Sequence, residues 1–406
     1  MNKIHFWIWP LVIVVCLGVG AWLLGFWLGG CATTQQLPET TTTTTTTTTS
    51  SSVASSSSST TTTSLVSSGS WVPVGSQDFS NGPVHYFSFF LYNGTPYVAY
   101  RDSGSKATVM MYDGSSWEAV GKPGFSNDYV QYTSIYVYKG IPYLAYRGDT
   151  EYESRATVLN YISSKETWEA VGSPGFSGYV ATDISLSITN ETPYVALRDS
   201  DSEFGGVYKP AVMKYDGSNW VYVGDRGCSG AYADYISLCL YNGTPYIATD
   251  EYLHIAVMKY NGSSWEVIGD RDFSAGSVQD LSLDVYNGVP YVAYGDAAYD
   301  YKVVVMKYDG DNWVPVGSPG FSDDITSAFS LKVYNGTPYV AYWEGGTEGK
   351  IYVKKYNGSK WVNVGPPGFA PGGASNISLQ IYNGTPYVAY IAWGNDGQAA
   401  VMRYVP

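Results

Sequence analysis

From residue 71 onward the chain alternates apolar and polar positions in short runs, and the runs recur. The best-formed copy reads WVPVGSPGFSDDITSAFSLKVYNGTPYVAYWE, from Trp313 to Glu344. FSLKVY and PYVAY are period-two runs, the pattern of half-buried strands. Between them stands Asn335-Gly336, a pair suited to a type I′ turn, in which both central residues need positive φ. A variable loop follows PYVAY. Then come an alternating run such as IYVKKY and a second tight turn, NGSK, into the next Trp run. Each unit is therefore expected to hold four strands: a (SLKVY), b (PYVAY), c (VMKY-like) and d (W-x-x-V-G).

Two landmarks fix the repeat. One is Trp, at Trp71, Trp117, Trp168, Trp220, Trp265, Trp313 and Trp361. The other is the Pro of a Pro-Tyr pair, at Pro96, Pro142, Pro193, Pro245, Pro290, Pro338 and Pro386. They lie 25 residues apart in all seven copies, and successive Trp residues lie 45 to 52 apart. A strand-rich repeat of that length marks a β-propeller. The repeats open with a lone strand d, Trp71–Gly75, and close with a lone strand c, Ala399–Tyr404. Pairing these two is expected to close an all-β, seven-bladed ring without open edges. An open solenoid would need polar capping repeats, which the sequence lacks.

Ahead of the repeats, residues 6–30 carry no charge, a length sufficient to span a bilayer as a helix. Lys3 precedes this stretch, which places the N terminus inside. Leu28-Gly29-Gly30-Cys31 resembles a bacterial lipobox, in which the Cys is lipidated. Residues 1–31 are thus expected to be a signal or transmembrane anchor, holding the membrane through residues 6–30 or through lipidated Cys31. Residues 32–70 are almost all Thr and Ser and are expected to form a disordered spacer. Residues 71–406 are the propeller, expected outside, at the cell surface, tethered to the cytoplasmic membrane.

In a four-stranded meander the a–b and c–d turns leave one face, and the b–c and d–a loops leave the other. The first set is uniformly tight here. The distance from the landmark Pro to the strand-c Tyr varies from 15 to 22 residues, so length variation sits in the b–c loop. Fixed strands with variable loops on one face are how binding surfaces are commonly built. Both ends of the repeat region belong to the tight-turn face, so the loop face is expected to point away from the membrane.

Charge narrows the partners. The net charge is −13, and nearly all of the excess acid lies in residues 71–406. This argues against nucleic acid, which needs a basic footprint. Three scattered His residues offer no metal cluster, and no cofactor is expected. The acidic loops Asp199–Glu203 and Gly148–Glu153 offer oxygen ligands to Ca2+ but lack the spacing of a dedicated calcium loop. Cys228 and Cys239 read as small buried residues in preference to a bridge.

Three rings of candidate chemistry follow from the repeat. Seventeen residues after each Trp stands a Ser: Ser88, Ser134, Ser185, Ser237, Ser282, Ser330 and Ser378. A small residue suits the crowded innermost strand, and no base accompanies it. Two positions earlier, at the expected channel mouth, stand Tyr86, Tyr132, Asp183, Tyr235, Asp280, Ala328 and Asn376. Beside them are His85, Gln131, Thr182, Asp234, Gln279, Ser327 and Ser375. Tyr faces and polar edges converging on a funnel suit a sugar, and a solvated rim is the plainer alternative. At the exit of strand b stand Arg101-Asp102, Arg147-Gly148 and Arg198-Asp199, then Asp250-Glu251, Gly295-Asp296 and Trp343-Glu344. Three Arg from adjacent blades are placed to clamp a carboxylate. The plainer reading pairs each Arg with an Asp along the blade edge.

Sialidases carry three Arg on a propeller in a similar way. Their Asp-box, S-x-D-x-G-x-T-W, is not matched by Asp113–Trp117, DGSSW, where Asp and Gly are adjacent. The unit L-x-V-Y-N-G-T-P-Y-V-A-Y…V-M-K-Y-D-G resembles the repeat of NHL-type and related microbial surface propellers over residues 71–406. It departs from that pattern in its Trp strand and in Tyr where that family often has Asp. The resemblance implies the propeller fold and no particular ligand. The sequence is thus read as a membrane-tethered, monomeric, non-enzymatic binding or adhesion module for an extracellular carbohydrate or surface protein. A glycan-acting enzyme and a structural display domain are the alternatives.

Overall fold

The computed structural model of the chain describes residues 69–200, 206–346, 349–370 and 372–406. The expected anchor and residues 32–68 of the expected spacer lie outside these residues, whereas Ser70, expected to end the spacer, belongs to the first strand of the propeller. Among the described residues no helix is long and apolar enough to cross a membrane.

The chain is an all-β, seven-bladed propeller of four-stranded antiparallel sheets. The innermost strands of blades 1 to 7 are His85–Tyr92, Val130–Tyr138, Val180–Thr189, Ile236–Tyr241, Val278–Tyr286, Thr326–Tyr334 and Ala374–Tyr382. The seventh sheet runs Ala374–Tyr382, Thr385–Ala392, Gln398–Val405 and then Ser70–Pro73, with Trp71 opposite Tyr404 and Ser70 opposite Val405. The two ends of the described chain therefore meet on the tight-turn face.

Each a–b turn has positive φ at both central residues. Examples are Asn335 and Gly336, at 48° and 75°. Blade 3 departs from the Asn-Gly pattern and holds Glu191 at 63°, a conformation that costs an ordinary side chain about 1 kcal/mol or more.

Strand b packs both of its faces against neighbours. Tyr97 and Ala99 join the core shared with blade 2, whereas Val98 and Tyr100 join the core shared with blade 7. Period-two alternation thus serves two interfaces instead of one core and one solvent face.

The W-x-x-V-G strand joins one blade to the next. Every one of its Trp indoles donates Nε1–H to the Val or Ile carbonyl of the preceding copy, at 2.7–2.9 Å. The strand-c Tyr lies tilted against the same Trp, with centroids 5.5–5.8 Å apart. Six of the seven Trp rings also stack on the Phe of the preceding copy, at 4.0–4.7 Å. The exception is Trp265, where Cys228 occupies the Phe position. Cys228 is a free thiol, so it does not bridge to Cys239, and its Sγ donates to the Pro210 carbonyl at 3.0 Å. Gly is required after the Val because φ is positive and a Cβ would press on the next blade. At Gly75 it would lie 2.7 Å from the Tyr112 ring and 3.0 Å from Trp117.

The Ser ring is more than a size requirement. Its hydroxyls accept backbone N–H groups from the innermost strand of the following blade. Ile135 donates to Ser88, Leu186 to Ser134, Leu283 to Ser237, Leu331 to Ser282 and Leu379 to Ser330, at 2.8–3.2 Å. The innermost strands cannot pair edge to edge, so a side-chain oxygen satisfies these buried donors.

Candidate functional site

The mouth is built on a backbone irregularity. In six innermost strands one extra residue interrupts the register just before the ring Ser, as between His85 and Ser88 or Gln279 and Leu281. The residue there has positive φ: Tyr86 50°, Tyr132 52°, Asp183 50°, Asp280 56°, Ala328 56° and Asn376 52°. These are β-bulges, which re-aim side chains and cluster beside functional sites. Six of the seven residues in the expected mouth ring are therefore bulge residues.

Blade 4 is the exception. Its innermost strand begins only at Ile236, and Tyr235 keeps ordinary φ. There the Asp250 carboxylate accepts the N–H groups of Asp234 and Tyr235, each at 2.7 Å, where other blades pair strand with strand.

The residues beside the bulge face the strand-b exit directly. His85 lies opposite Arg101, Gln131 opposite Arg147 and Thr182 opposite Arg198. Gln279 lies opposite Gly295, and Ser327 opposite Trp343.

On blades 1 to 3 these rings interlock. The Arg101 guanidinium lies 4.8 Å from the Tyr86 ring centroid, and that of Arg147 lies 4.9 Å from Tyr132. The two Tyr rings lie 5.1 Å apart. Tyr86 Oη–H and Arg147 Nη2–H both donate to Gln131 Oε1, at 2.9 and 2.5 Å. Arg147 Nε pairs with Asp149 at 2.8 Å, and Gln131 also donates to Asp149. Arg198 pairs with Asp183, with Asp234 at 3.2 Å and with the Ala233 carbonyl at 2.8 Å.

Two expectations are corrected here. The Tyr86 and Tyr132 faces are not open platforms for a sugar, because guanidinium groups cover them and Tyr132 is buried. Nor does every Arg pair with an Asp along the blade edge: Arg147 pairs with Asp149 and Arg198 with Asp183, whereas Arg101 makes no ion pair among the described residues, and neither Arg101 nor Arg198 pairs with the Asp that follows it. Alternation turns the two side chains to opposite faces of the strand. Asp102 instead accepts from Gly104, Lys106 and Thr108 within the b–c loop, at 2.9–3.0 Å. Asp199, fully buried, accepts from Tyr222 at 2.7 Å and pairs with Arg226 at 3.0 Å. Glu344 accepts the Asp324 N–H at 2.7 Å. Asp102, Asp199 and Glu344 thus shape the loops and do not reach the mouth.

The acids that do reach it are restrained. Asp280 Oδ1 accepts from Leu281 at 2.8 Å and Oδ2 from Phe329 at 3.3 Å, so this carboxylate ties blade 5 to blade 6. Burial pushes it up to about 7, against the pull of its amide donors, and the nearby Asp183 adds to the rise. Burial pushes Asp250 up to about 7 as well. Burial also raises Asp183, even with Arg198 beside it. Tyr235 is raised by burial first and then by Asp280 and Asp250, which places these groups within one electrostatic neighbourhood. Burial, followed by Arg101, lowers His85.

Trp343 takes the Arg position on blade 6. Its ring lies 6.4 Å from that of half-exposed Trp393, and its Nε1–H is buried without an acceptor. Gln279 and Asn376 are half-buried on the rim.

The sequence pattern gives Tyr232 and Trp393 no role, and it gives Asp149 one only within the acidic loop Gly148–Glu153. Asp149 and Trp393 lie in or beside variable b–c loops, where the repeat offers no register, and Tyr232 lies in the d–a stretch at a position where the seven copies share no common residue. The bulge did leave a signal: three of its six positions hold Asp or Asn, the residues most tolerant of positive φ.

A cleft of about 310 Å3 lies on the opposite, tight-turn face where blades 7 and 1 meet, beside Tyr112, Asp113, Tyr387 and Arg403. Among the described residues no group of acids, Cys and His is arranged to hold a metal ion. The loop Asp199–Glu203 is only partly described. In the loop after Gly148, buried Asp128 accepts the N–H groups of Thr150, Glu151 and Tyr152 at 2.9–3.3 Å.

No protein-family model and no curated protein matches the chain. Solved structures do. A polysaccharide lyase of family PL25, an ulvan lyase bound to -[GlcA(1-4)Rha3S]-, aligns with TM-score 0.54 and 12% identity over 81% of this chain and 92% of that one. One of two prolyl endopeptidases aligns with TM-score 0.50 and 12% identity, over 81% of this chain and 51% of that one. The Aleuria aurantia lectin aligns with TM-score 0.46 and 12% identity, over 70% of this chain and 97% of the lectin. At these identities the likeness is one of fold.

Proposed function

We propose that this chain is a glycan-binding module, without catalytic activity, displayed at the cell surface. Its ligand site is the channel mouth on the long-loop face. Residues 1–31 anchor it in the cytoplasmic membrane, through residues 6–30 or lipidated Cys31. Residues 32–68 are the spacer, and residues 69–406 present the propeller as a monomer with its loops outward. A kinship with NHL-type surface propellers rests on the strand pattern alone.

The observation that carries this reading is the interlocked set on blades 1 and 2. Arg101, Arg147, Tyr86 and Gln131 come from two adjacent blades and offer donors and acceptors at one mouth. Ligand sites are commonly made this way, from a few converging polar groups on a rigid frame. The ulvan lyase supports a glycan as the ligand class, since that protein, of comparable fold, is bound to one.

A glycan array probed with the full chain in mild detergent tests the proposal. Binding is expected to some glycans and to be lost in Arg147→Ala with the melting temperature kept. An array without binders would overturn it.

A glycan-acting enzyme is the second reading. It is favoured by Asp250 and Asp280, both held near 7 beside Tyr235. Groups poised near neutral pH suit proton transfer. Incubation with uronate-containing polysaccharides separates the two readings. New reducing ends, or a new double bond seen in the ultraviolet, would replace the binding module with the enzyme.

A further inference from the structure

The three mouth arginines are not equivalent. Arg198 is compensated by Asp183 and Asp234, and Arg147 by Asp149. Arg101 makes no ion pair among the described residues. Its sequence neighbour Asp102 is spent on the b–c loop, held by Gly104, Lys106 and Thr108. The Arg101 Nε–H is buried without an acceptor, although the side chain as a whole is only half-buried. Leaving such a donor withdrawn from water is unfavourable by roughly 1–3 kcal/mol. The Tyr86 ring beneath the guanidinium stabilises its charge but supplies no lone pair in the plane of the fork. His85, opposite Arg101 in the ladder, is held toward its neutral form, so it neither adds to nor cancels that charge at neutral pH. The mouth of blade 1 is thus a single uncompensated cation with one edge of its hydrogen-bonding fork unused.

We infer that Arg101 is the anion subsite of the mouth, and that the glycan bound there carries an oxyanion, either a uronate carboxylate or a sulfate ester. This deepens the glycan-binding reading and rests on it. Both groups present two oxygens to a guanidinium fork, which a neutral hydroxyl cannot do. The covered faces of Tyr86 and Tyr132 agree with this, since beside Arg101 they leave little stacking surface for a neutral sugar. Arg147 lies on the adjacent blade and is fixed by Gln131 and Asp149, so it stands as a rigid second donor beside the subsite.

The test uses matched oligosaccharides and calorimetry on the full chain in mild detergent. One pair is a 1,4-linked galacturonate tetrasaccharide and its methyl ester. The other is a sulfated galactan tetrasaccharide and its desulfated form. Wild type is expected to bind the charged member of at least one pair about tenfold or more tighter than the neutral member. The pair that discriminates identifies carboxylate or sulfate. Arg101→Gln is expected to collapse that ratio toward one. Arg101→Lys, which keeps the charge and loses the fork, is expected to keep part of it. Thermal melts of both variants report folding, and the wild-type comparison stands without them. Equal affinity for charged and neutral members, or binding only of neutral glycans on the array, would overturn the anion subsite while leaving glycan binding intact. Failure to bind any glycan would defeat the broader reading instead.

Discussion

Trp71 donates its indole N–H to the carbonyl of Val364 at 2.9 Å, across 293 residues of chain. The same bond joins every other pair of successive copies, so the first Trp completes the ring on terms shared by the other six. Trp71 also stacks on Phe369 and lies against Tyr404. Trp71→Phe should keep the stacking and lose the hydrogen bond, lowering stability by about 1 kcal/mol. Trp71→Ala should cost about 3 kcal/mol. Thermal melts of the two variants check both figures. Equal and negligible losses would mean that the terminal strand does not hold the ring shut.

The Ser ring makes a sharper claim than size. Ser330 accepts the buried Leu379 N–H at 2.8 Å. If only a small residue were needed, Ser330→Ala would be neutral. The hydrogen bond predicts a loss of about 1–3 kcal/mol from an orphaned donor. Denaturant midpoints for Ser330→Ala, with the slope unchanged, measure it.

Cys228 breaks the Phe–Trp stack in one copy. Phe176 stacks on Trp220 at 4.0 Å in the copy before it. Phe176→Cys should therefore destabilise by about 1–3 kcal/mol. The reverse change, Cys228→Phe, should raise the melting temperature if the site opens to the sibling geometry.

Asp280 gives the propeller a pH dependence of known sign. Its folded pKa, about 7, lies above the ordinary 3.8. Between those values the folded state holds a proton that the unfolded state has released. Its contribution to stability is therefore full below about pH 4 and falls until about pH 7. Asp280→Asn removes that titration. The variant should gain on wild type by roughly 1–3 kcal/mol between those limits. Paired urea titrations at the two pH values check the direction.

The frame was legible because it is written seven times. Asn-Gly turns, alternating strands and a fixed Trp-to-Pro spacing specify local geometry directly. The site was less legible, for two physical reasons. A β-bulge inserts one residue without altering composition, and Tyr86 and Ala328 give no hint of positive φ. Adjacency in sequence also misleads on a strand. Arg101-Asp102 and Arg198-Asp199 look like ion pairs, yet the pleat sends each member to a different face. Asp149 and Trp393, which complete the mouth, come from the loops that the repeat does not copy.

Hydrogen–deuterium exchange of the full chain, with and without a saturating array ligand, tests the mouth most directly. Protection is predicted in peptides covering His85–Phe87, Arg101, Gln131–Tyr132 and Arg147–Asp149. Protection confined to the tight-turn face, around Asn93–Pro96 and Asp113–Ser116, would contradict the account.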